Sequence, residues 1–484
     1  MTLPAHKTRI VATIGPASDA PEMMERMIRA GMNVARLNLS HGTFEEHARR
    51  VVALREASRT VGREIAILAD LPGPKLRIGP VSPDPVELAA GQPFTLTTRP
   101  MIGSRDGASV SFEPLPRVVK PGDGLFLNDG LIQLEVERVN AEDVRCRVLV
   151  GGGLGSRKGL NLPGIDLGVG AFTPRDRECL AFAIEQGVDA VSQSFVESDA
   201  DIRALRDAAA SLGGDPFVIA KIERASALDH LDAILAAADG LMVARGDLGV
   251  EVPIERIAIL QKILIRKAVR AARPVITATQ MLESMTVSRQ PTRAEATDVA
   301  NAVLDGTDAV MLSGESATGR YPVESVETLA RIAAATEPHR PSVDLWERLK
   351  SLTPDMDLDV PDLFAVSVET LMACSRPAAV VVPARTGSTA RSICSFRLPV
   401  WIAAPTSSLA VLRRLLFSYG VEPLLSKGHA ADWTEMTRRW VREQGLPGRL
   451  AILVRGPSAS HPGSSPALEL VDVNRPEKNG RLTP

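Results

Sequence analysis

Cysteine is rare in this chain, with four residues in 484 and no Cys-x-x-Cys pair. Zinc knuckles take their ligands from such pairs, and disulfide-stapled domains use many more cysteines, so neither kind of site is expected. Scattered thiols are typical of a protein in a reducing compartment, and we expect a cytoplasmic one. The four are Cys146, Cys179, Cys374 and Cys394.

Long apolar runs and excess charge are also missing. No stretch approaches the ~18 apolar residues of a membrane span, and residues 1–6 lack a secretory signal pattern. The net charge of −2 argues against bulk attraction to nucleic acid or a membrane surface. A chain of 484 residues, 45% of them apolar, is too long to fold around a single hydrophobic core, so we expect two or three domains.

Strand-like and helix-like runs alternate along two stretches of the chain and together give eight strands, each followed by a helix. This pattern predicts an α/β fold with a closed (β/α)₈ TIM barrel, whose chemistry lies at the C-terminal strand ends. An open doubly wound sheet is the alternative. The predicted strands are 8–14, 34–39, 65–70, 190–194, 218–221, 240–244, 275–277 and 309–312. The predicted helices are 19–31 (with Asp19 as N-cap), 43–61, 173–187, 198–212, 225–238, 253–272, 292–304 and 323–335.

The alternation stops between residues 78 and 170, where proline and glycine are frequent and Asn128-Asp129-Gly130 predicts a hairpin. We predict a small β-barrel domain here, inserted between barrel segments 1–77 and 171–338. The glycine-rich run 151–155 lacks the spacing of a nucleotide fingerprint and is interpreted as a flexible turn. A linker (339–360), a C-terminal α/β domain (361–475) and a tail (476–484) complete the expected organisation.

The fifth predicted strand ends in two opposite charges, Lys221 and Glu223. Residues two apart on a strand point the same way, so the two side chains share a face. A surface ion pair would contribute only ~0–1 kcal/mol, but a strand that should be buried seldom ends in charge. We interpret the pair as a lysine for an anion beside a carboxylate for a metal.

Other strand ends carry polar residues as well. Arg36, Asn38 and Ser40 alternate along the second strand and suit a phosphate and a cation, although Asn38 and Ser40 could simply form a turn. Asp70 ends the third strand, and two cations follow it, which is also compatible with an ordinary domain junction. The C-terminal edge of the barrel is therefore expected to hold one polar site.

Asp247 follows the sixth strand between glycines that let backbone N–H groups approach an anion, while its carboxylate can ligate a hard cation. Glu223 and Asp247 form the best metal pair, and an oxygen site with few protein ligands suits Mg²⁺. Phosphoryl transfer needs mainly positioning and charge neutralisation. No Walker A loop or protein-kinase catalytic set occurs. The cations suited to a phosphoryl group are Arg36, Arg77, Lys158 and Lys221.

Six motifs resemble signatures of the pyruvate kinase family. They are NVARLNLSHG (33–42), AKIE (220–223), MVARGDLG (242–249), TATQMLESM (277–285), PTRAE (291–295) and VMLSGE (310–315). The resemblance extends over about residues 7–338 and is looser in the C-terminal domain. It implies the glycolytic transfer of phosphate from phosphoenolpyruvate to ADP, giving pyruvate and ATP.

The resemblance also implies roles for individual residues. Lys221 would stabilise the transferring phosphoryl group, Arg36 would hold the phosphate, and Thr279 would lie beside the enolate where the proton arrives. The backbone of Gly246 and Asp247 would bind the substrate carboxylate.

Metal and nucleotide contacts follow from the same resemblance. Glu223 and Asp247 would hold Mg²⁺, with Mn²⁺ as a substitute, and Arg77 and Lys158 would contact the nucleotide. The inserted domain would act as a lid that excludes water. A homotetramer is implied as well.

The chain departs from the family at its monovalent-cation region. Many members bind potassium at the positions of Asn38, Ser40, Asp70 and a following threonine, which is Leu71 here. Those members commonly have glutamate where this chain has Lys75. The Lys75 ammonium could supply the charge that potassium brings, so we predict that K⁺ is not required.

A second departure concerns the regulatory region. Thr386, Ser388 and Thr389 resemble a phosphate cradle ahead of a helix, although a plain N-cap explains them equally well. Loop 456–464 contains no Lys or Arg, so a bisphosphate would find little charge there. We expect a sugar-phosphate or nucleoside monophosphate effector, or none.

Two other functions remain open at this point. Another phosphoenolpyruvate- or pyruvate-handling barrel, such as a Mg²⁺-dependent aldolase or mutase, would not need Arg77, the lid or the appended domain. A catalytically inactive metabolite sensor would be expected to lose Lys221, Glu223 or Asp247, and all three are present.

Overall fold

The computed structural model describes residues 2–341, 360–426, 432–456 and 467–475. Most of the predicted linker, the predicted effector loop after Gly456 and the C-terminal tail lie outside the described residues. The chain begins with three barrel strands and two helices. They are β1 (Arg9–Thr13), α1 (Pro21–Ala30), β2 (Val34–Asn38), α2 (Phe44–Val61) and β3 (Ala66–Leu71).

A separate β domain follows β3 and has its own apolar core. Its elements are β4 (Val86–Leu88), β5 (Pro93–Thr97), β6 (Gly107–Ser109), α3 (Leu115–Val118), β7 (Gly124–Leu127), β8 (Ile132–Val139), β9 (Asp143–Val150), β10 (Gly152–Leu154) and β11 (Leu160–Asn161). Six strands form a sheet in the order β11-β7-β8-β9-β5-β6, and β10 pairs with β4. The Asn128-Asp129-Gly130 hairpin is confirmed, with Leu127 opposite Ile132.

The chain then completes the barrel. Its remaining elements are α4 (Pro174–Glu185), β12 (Ala190–Gln193), α5 (Asp199–Ser211), β13 (Phe217–Ile222), α6 (Leu231–Ala237), β14 (Gly240–Ala244), α7 (Arg245–Glu251), α8 (Ile257–Arg270), β15 (Val275–Ala278), α9 (Arg293–Leu304), β16 (Ala309–Leu312), α10 (Gly314–Ala317) and α11 (Pro322–Thr336). Short 3₁₀ helices occupy Ala225–Leu228, Ile254–Arg256, Glu283–Thr286 and Glu337–His339. The parallel strands close in the order β1-β16-β15-β14-β13-β12-β3-β2, so the closed barrel is confirmed over the open sheet.

The C-terminal domain is a five-stranded α/β sheet in the order β19-β18-β17-β20-β21, with only β21 antiparallel to its neighbour. Its elements are α12 (Val360–Ser375), β17 (Ala379–Val381), α13 (Ser388–Cys394), β18 (Trp401–Thr406), α14 (Leu409–Leu415), β19 (Val421–Leu425), α15 (Trp433–Glu443), β20 (Leu450–Arg455) and β21 (Ala467–Asp472).

The C-terminal domain docks against the N-terminal ends of barrel strands. Arg9, at the start of β1, donates to the carbonyl of Ser418 at 3.0 Å. Asp308, just before β16, accepts from Arg397 Nη2 at 2.5 Å and from the Tyr419 N–H at 2.9 Å. This leaves the opposite rim of the barrel, where the strands end, open to the inserted domain.

Several sequence expectations need correction. Helix α1 begins at Pro21 with Ala20 as N-cap, and Asp19 instead forms an ion pair with Arg50 at 3.5 Å. The glycine run 151–155 is not a flexible turn, because β10 within it pairs with β4. The single helix expected over 225–238 is a 3₁₀ turn followed by α6. Among the described helices, none is long and apolar enough to span a membrane.

Candidate active site

Three charged side chains from three strands meet at the C-terminal rim of the barrel. Arg36 of β2 donates through Nε to Asp70 Oδ2 of β3 at 3.1 Å, and its Nη2 contacts the same oxygen. Lys221 Nζ of β13 lies 3.2 Å from Asp70 Oδ1. All three residues are buried. Two cations therefore converge on one carboxylate, although they are 185 residues apart in the chain.

The charge state of this cluster follows from its surroundings. Burial by itself raises the pKa of Asp70, but Lys221 and Arg36 outweigh burial and lower the pKa to about 2. Burial by itself lowers the pKa of Lys221. The carboxylates of Asp70 and Glu223 raise it by more, so that the pKa of Lys221 lies above its ordinary value. Both cations are held charged and face the rim.

One serine in β12 and one just after it complete the anchoring of these groups. Ser192 Oγ donates to Asp70 Oδ1 at 2.6 Å. Ser194 Oγ accepts from Lys221 Nζ at 2.6 Å and donates to the Leu71 carbonyl at 2.7 Å. The serines fix the orientation of Asp70 and Lys221, which single carboxylate contacts would leave free to rotate.

Glu223 is held by one contact at each carboxylate oxygen. Oε1 lies 2.9 Å from Lys221 Nζ, and Oε2 accepts the backbone N–H of Phe195 at 2.7 Å. Phe195 adopts φ +58°, an uncommon value for a non-glycine residue. This conformation brings its N–H to the carboxylate. Such backbone outliers concentrate at functional sites.

Glu223 and Asp247 fit a divalent cation. Burial raises the pKa of Glu223, and the nearby Asp247 raises it further, while Lys221 opposes both effects. A carboxylate whose ionisation a second carboxylate disfavours is stabilised by a cation between the two. Among the described residues no cluster of three or more His, Cys, Asp or Glu forms a metal site. An ion here would therefore take most of its ligands from substrate and water, which suits Mg²⁺.

Thr279 follows β15 and meets the loop after β14. Its Oγ1 accepts the Gly246 N–H at 2.9 Å and donates to the Ala278 carbonyl at 2.7 Å. Thr279 has φ +68° and Gln280 φ +54°, and such a conformation in a β-branched residue costs about 1–3 kcal/mol. The rim therefore holds Thr279 and Gly246 together in a strained turn.

Arg245 stabilises that turn from beneath. Its Nη2 donates to the Thr279 carbonyl at 2.6 Å and its Nε to the Ala278 carbonyl at 3.1 Å. Nη1 contacts both carboxylate oxygens of Asp298 on α9, at 2.8 and 2.7 Å. Arg245 thus links two barrel strands to a helix of the outer layer.

The remaining cations lie where the inserted domain meets the barrel. Lys75 and Asp247 line the same cleft, which is closed on its other side by residues 159–162. Arg77 pairs with Gly159, directly beside Lys158, and its Nη1 donates to the Arg157 carbonyl at 3.0 Å. Burial lowers the pKa of His41, and Arg77, Lys75 and Arg36 lower it further, which marks this side of the rim as cationic.

The predicted monovalent-cation residues are near the same rim but already have partners. Asn38 Oδ1 accepts the Ser40 N–H at 3.2 Å, as the turn interpretation predicted. Asp70 is shared by Arg36, Lys221 and Ser192. The buried Leu71 offers only its carbonyl, which accepts from Ser194.

The predicted effector residues lie in the C-terminal domain, apart from the rim. Thr386 Oγ1 lies 3.2 Å from Ser388 Oγ and 3.4 Å from the Ser388 N. Gly387 supplies φ +83° directly before the seven-residue helix α13, which contains Thr389. This is an ordinary hydroxyl turn at a helix start, and it neither favours nor excludes a phosphate.

Several contributors were not identified from the sequence. Ser192 and Ser194 were missed, although their spacing of two at the end of β12 places both on one face. The Phe195 N–H was missed because side-chain patterns carry no information on backbone donors. Helix α7, which starts at Arg245 and carries Asp247, was hidden by its two glycines, which disfavour helix.

The fold and the site together define a phosphotransferase on a (β/α)₈ barrel, with buried cations beside two carboxylates. The family model for the pyruvate kinase barrel domain matches residues 5–326, and that for the pyruvate kinase alpha/beta domain matches residues 364–471. The chain belongs to the pyruvate kinase family. This decides against the aldolase and mutase alternatives.

Individual relatives agree with this assignment. The pyruvate kinase of Thermococcus litoralis is 50% identical over 425 residues, covering 87% of this chain and 89% of its own length. That of Geobacillus stearothermophilus is 43% identical over 418 residues, covering 86% and 71%. A crystal structure of a pyruvate kinase from Cryptosporidium parvum superposes with a TM-score of 0.89 at 35% identity and covers 97% of this chain and 96% of that one.

Proposed function

We propose that this protein transfers the phosphoryl group of phosphoenolpyruvate to ADP, with Lys221 as the central catalytic residue. The observation that carries the proposal is the convergence of Arg36 and Lys221 beside Glu223, with Asp247 and Thr279 at the same rim. An open rim with two buried cations suits a phosphate ester, because fixed positive charge stabilises charge that develops on transferring oxygens.

Each residue then has a physical task. Arg36 holds the phosphate in place. Lys221 neutralises the phosphoryl oxygens as they move. The backbone of Gly246 and Asp247, at the start of α7, would bind the substrate carboxylate once the Gly246 N–H exchanges Thr279 Oγ1 for it. Thr279 Oγ1 is a hydroxyl placed to lie beside the enolate carbon as it gains its proton.

Glu223 and Asp247 would hold Mg²⁺, or Mn²⁺ in its place, and this ion supplies charge neutralisation of the phosphate and carboxylate oxygens when bound. Arg77 and Lys158 reach the nucleotide from the edge of the inserted domain. That domain excludes water when it closes over the cleft.

Lys221→Met tests the catalytic assignment. We expect kcat to fall by ~10²–10³-fold or more, because a preorganised charge is removed from the transition state. The assay couples pyruvate formation to lactate dehydrogenase. Lys267→Met is the matched control, since Lys267 forms an exposed ion pair with Asp232 at 2.8 Å on the outer layer. Unchanged turnover in Lys221→Met would refute the role, and no ATP formation by the wild type would refute the function.

We further propose that the enzyme works without K⁺, with Lys75 supplying the charge. The oxygens of Asn38 and Asp70 are already engaged, and Leu71 has no hydroxyl, which supports the proposal. Lys75 also lies in the cleft and contributes to the cationic field at His41.

Turnover in tetramethylammonium buffer, with and without added KCl, tests this proposal. We expect the wild type to be fully active without K⁺ and Lys75→Glu to lose most of its turnover and regain part of it with K⁺. A large stimulation of the wild type by K⁺ would overturn the proposal.

The remaining expectations rest on resemblance and composition. We propose a homotetramer, a cytoplasmic location and, if any effector acts, a phosphate monoester at Thr386, Ser388 and Thr389. Activation by micromolar fructose 1,6-bisphosphate would contradict the last of these.

A further inference from the structure

Two residues of opposite charge, Arg224 and Glu251, hold the segment by which the chain leaves the inserted domain. Arg224 Nη2 donates to the Ile165 carbonyl at 2.6 Å. The Gly164 N–H acts on the Glu251 carboxylate and lowers its pKa, against the larger and opposite effect of burial. Because the two charges act on adjacent residues of one segment, we call Arg224 and Glu251 the exit clamp.

The exit clamp is placed directly beside the metal pair. Arg224 follows Glu223 in the chain, and Glu251 lies four residues after Asp247, one turn along α7. Arg224 is 5% exposed and the Glu251 side chain 3%. Both also line the cleft with Asp247. Glu223 therefore has a clamp residue as its chain neighbour just after β13, and Asp247 has one on its own helix.

The clamp geometry is not fully closed. Arg224 Nε lies 3.7 Å from Glu251 Oε2 and 3.4 Å from Glu197 Oε1, and it is buried without a hydrogen-bond partner. A buried charged donor without a partner is costly. A small movement of α7 or of Glu197 toward Arg224 would supply that bond.

Helix α7 has a second contact with the inserted domain. The hairpin between β7 and β8 lies over Val250, since a methyl group on Gly130 would be 3.5 Å from the Val250 side chain. The inserted domain thus touches α7 at its hairpin and at its exit segment, within two consecutive residues of the helix. Movement of that domain acts on the helix that carries Asp247.

We propose that Arg224 and Glu251 are positioning residues that couple the position of the inserted domain to the metal carboxylates, so that closure and metal binding favour each other. Only the benefit of this coupling to catalysis rests on the proposed function. The coupling requires that the domain and the metal bias one shared element, which here is α7 with the end of β13. If Arg224 and Glu251 only anchored residues 164 and 165, replacing them would leave the metal affinity unchanged.

The test compares Arg224→Gln, Glu251→Gln and the double variant with the wild type. Mn²⁺ affinity is measured by electron paramagnetic resonance without substrates, and amide hydrogen exchange is followed at residues 160–168. We expect Mn²⁺ to bind about tenfold more weakly and Gly164 to exchange about tenfold faster, as the loss of one charged hydrogen bond predicts. At saturating Mn²⁺, the KM for ADP should rise about tenfold and that for phosphoenolpyruvate less than twofold, since Arg36 and Lys221 are untouched.

Arg206→Gln is the matched control. Arg206 also donates to a backbone carbonyl, that of Ala237 at 2.9 Å, and to one carboxylate, Asp239 at 2.8 Å, but on the outer layer of the barrel. Its Mn²⁺ affinity and its exchange at Gly164 should equal those of the wild type. Arg224→Lys provides a second variant if Arg224→Gln does not fold. It keeps the positive charge but loses the planar guanidinium group with its several N–H donors.

Faster exchange at Gly164 with unchanged Mn²⁺ affinity would overturn the coupling and leave an anchor. Unchanged exchange would overturn the clamp itself. The Mn²⁺ affinity and the exchange rate are measured without ADP or phosphoenolpyruvate. An inactive wild type would therefore refute the proposed function and leave the coupling to be judged on these two results.

Discussion

Asp70 lies between two buried cations, and this position decides how the site responds to acid. Removal of one cation would leave Asp70 paired with the other, whereas removal of the Asp70 charge would take from Arg36 its carboxylate partner and leave Lys221 with Glu223 alone. Burying a cation without its counter-charge is strongly unfavourable. At the scale of single residues, Asp70 is therefore the group whose ionisation holds the rim together.

Asp70→Asn should lower the free energy of unfolding at neutral pH. The pKa of this carboxyl is about 2 in the folded protein, below its ordinary value of 3.8. A carboxyl whose pKa is lowered by folding stabilises the folded protein at every pH above its pKa in the unfolded chain, here by about 2 kcal/mol. This stabilisation is lost as the pH falls toward 2. Urea unfolding should thus give the wild type a higher free energy of unfolding than Asp70→Asn at pH 5–7. The difference between the two should become smaller at pH 3.

Asp232→Asn is the control for this experiment, because Asp232 is an exposed carboxylate paired with Lys267. Its unfolding free energy should follow that of the wild type at every pH. A margin between wild type and Asp70→Asn that stays constant from pH 7 to pH 3 would contradict the assigned pKa.

At the scale of elements, local signals fix where four of the barrel helices begin. Thr43, Thr173, Ser198 and Thr292 each start a helix with a capping box, and these starts are readable from an acidic residue three positions later. The Asp19 prediction failed because Pro21 pre-forms the first turn and shifts the cap to Ala20.

Thr173→Ala should destabilise the protein by about 1 kcal/mol, the usual cost of losing an N-cap. Thr173 accepts the Asp176 N–H at 3.1 Å and donates to Asp176 Oδ2 at 2.6 Å. Asp176 also accepts the Gly73 N–H at 2.9 Å, so the cap orders the turn that leads into the inserted domain. Urea unfolding measures the change, and Thr173→Ser should retain most of the stability. Equal stability of the Ala and Ser variants would show that the cap contributes nothing.

The candidate site was predictable in part, for physical reasons. Alternation along β2 and β13 placed Arg36 and Lys221 on the inner rim, because side-chain direction on a strand has a fixed period. The contacts among Asp70, Ser192 and Ser194 depend on which strands are neighbours in the closed barrel, and spacing along the chain does not contain that information. The left-handed conformations of Phe195 and Thr279 likewise arise from tertiary constraint, against the preference of both residues.

At the scale of the whole molecule, the domains divide the barrel between its two ends. The inserted domain faces the C-terminal strand ends and the site, and the C-terminal domain holds the opposite ends through Arg9 and Asp308. The side of the barrel is left for other contacts. There, on and just before α8, Ile254, Ile259 and Ile263 are 75%, 58% and 39% exposed.

These isoleucines support the proposed self-association. Ile259 and Ile263 are four residues apart, so they lie on one face of α8. Neighbouring exposed apolar side chains of this size mark interaction surfaces more often than chance exposure does. In the proposed tetramer, a second copy of the chain would cover this surface. Each large aliphatic side chain buried there would contribute about 1.5–3 kcal/mol to association.

Ile259→Asp combined with Ile263→Asp should therefore dissociate the assembly, because two charges would be buried without partners in each contact. Sedimentation velocity at micromolar concentration is the measurement, and we expect a tetramer for the wild type and smaller species for the variant. Val52→Asp is the matched control, since Val52 is exposed on α2, on another face of the barrel. A monomeric wild type would refute the tetramer, and a variant that stays tetrameric would place the contact elsewhere on the molecule.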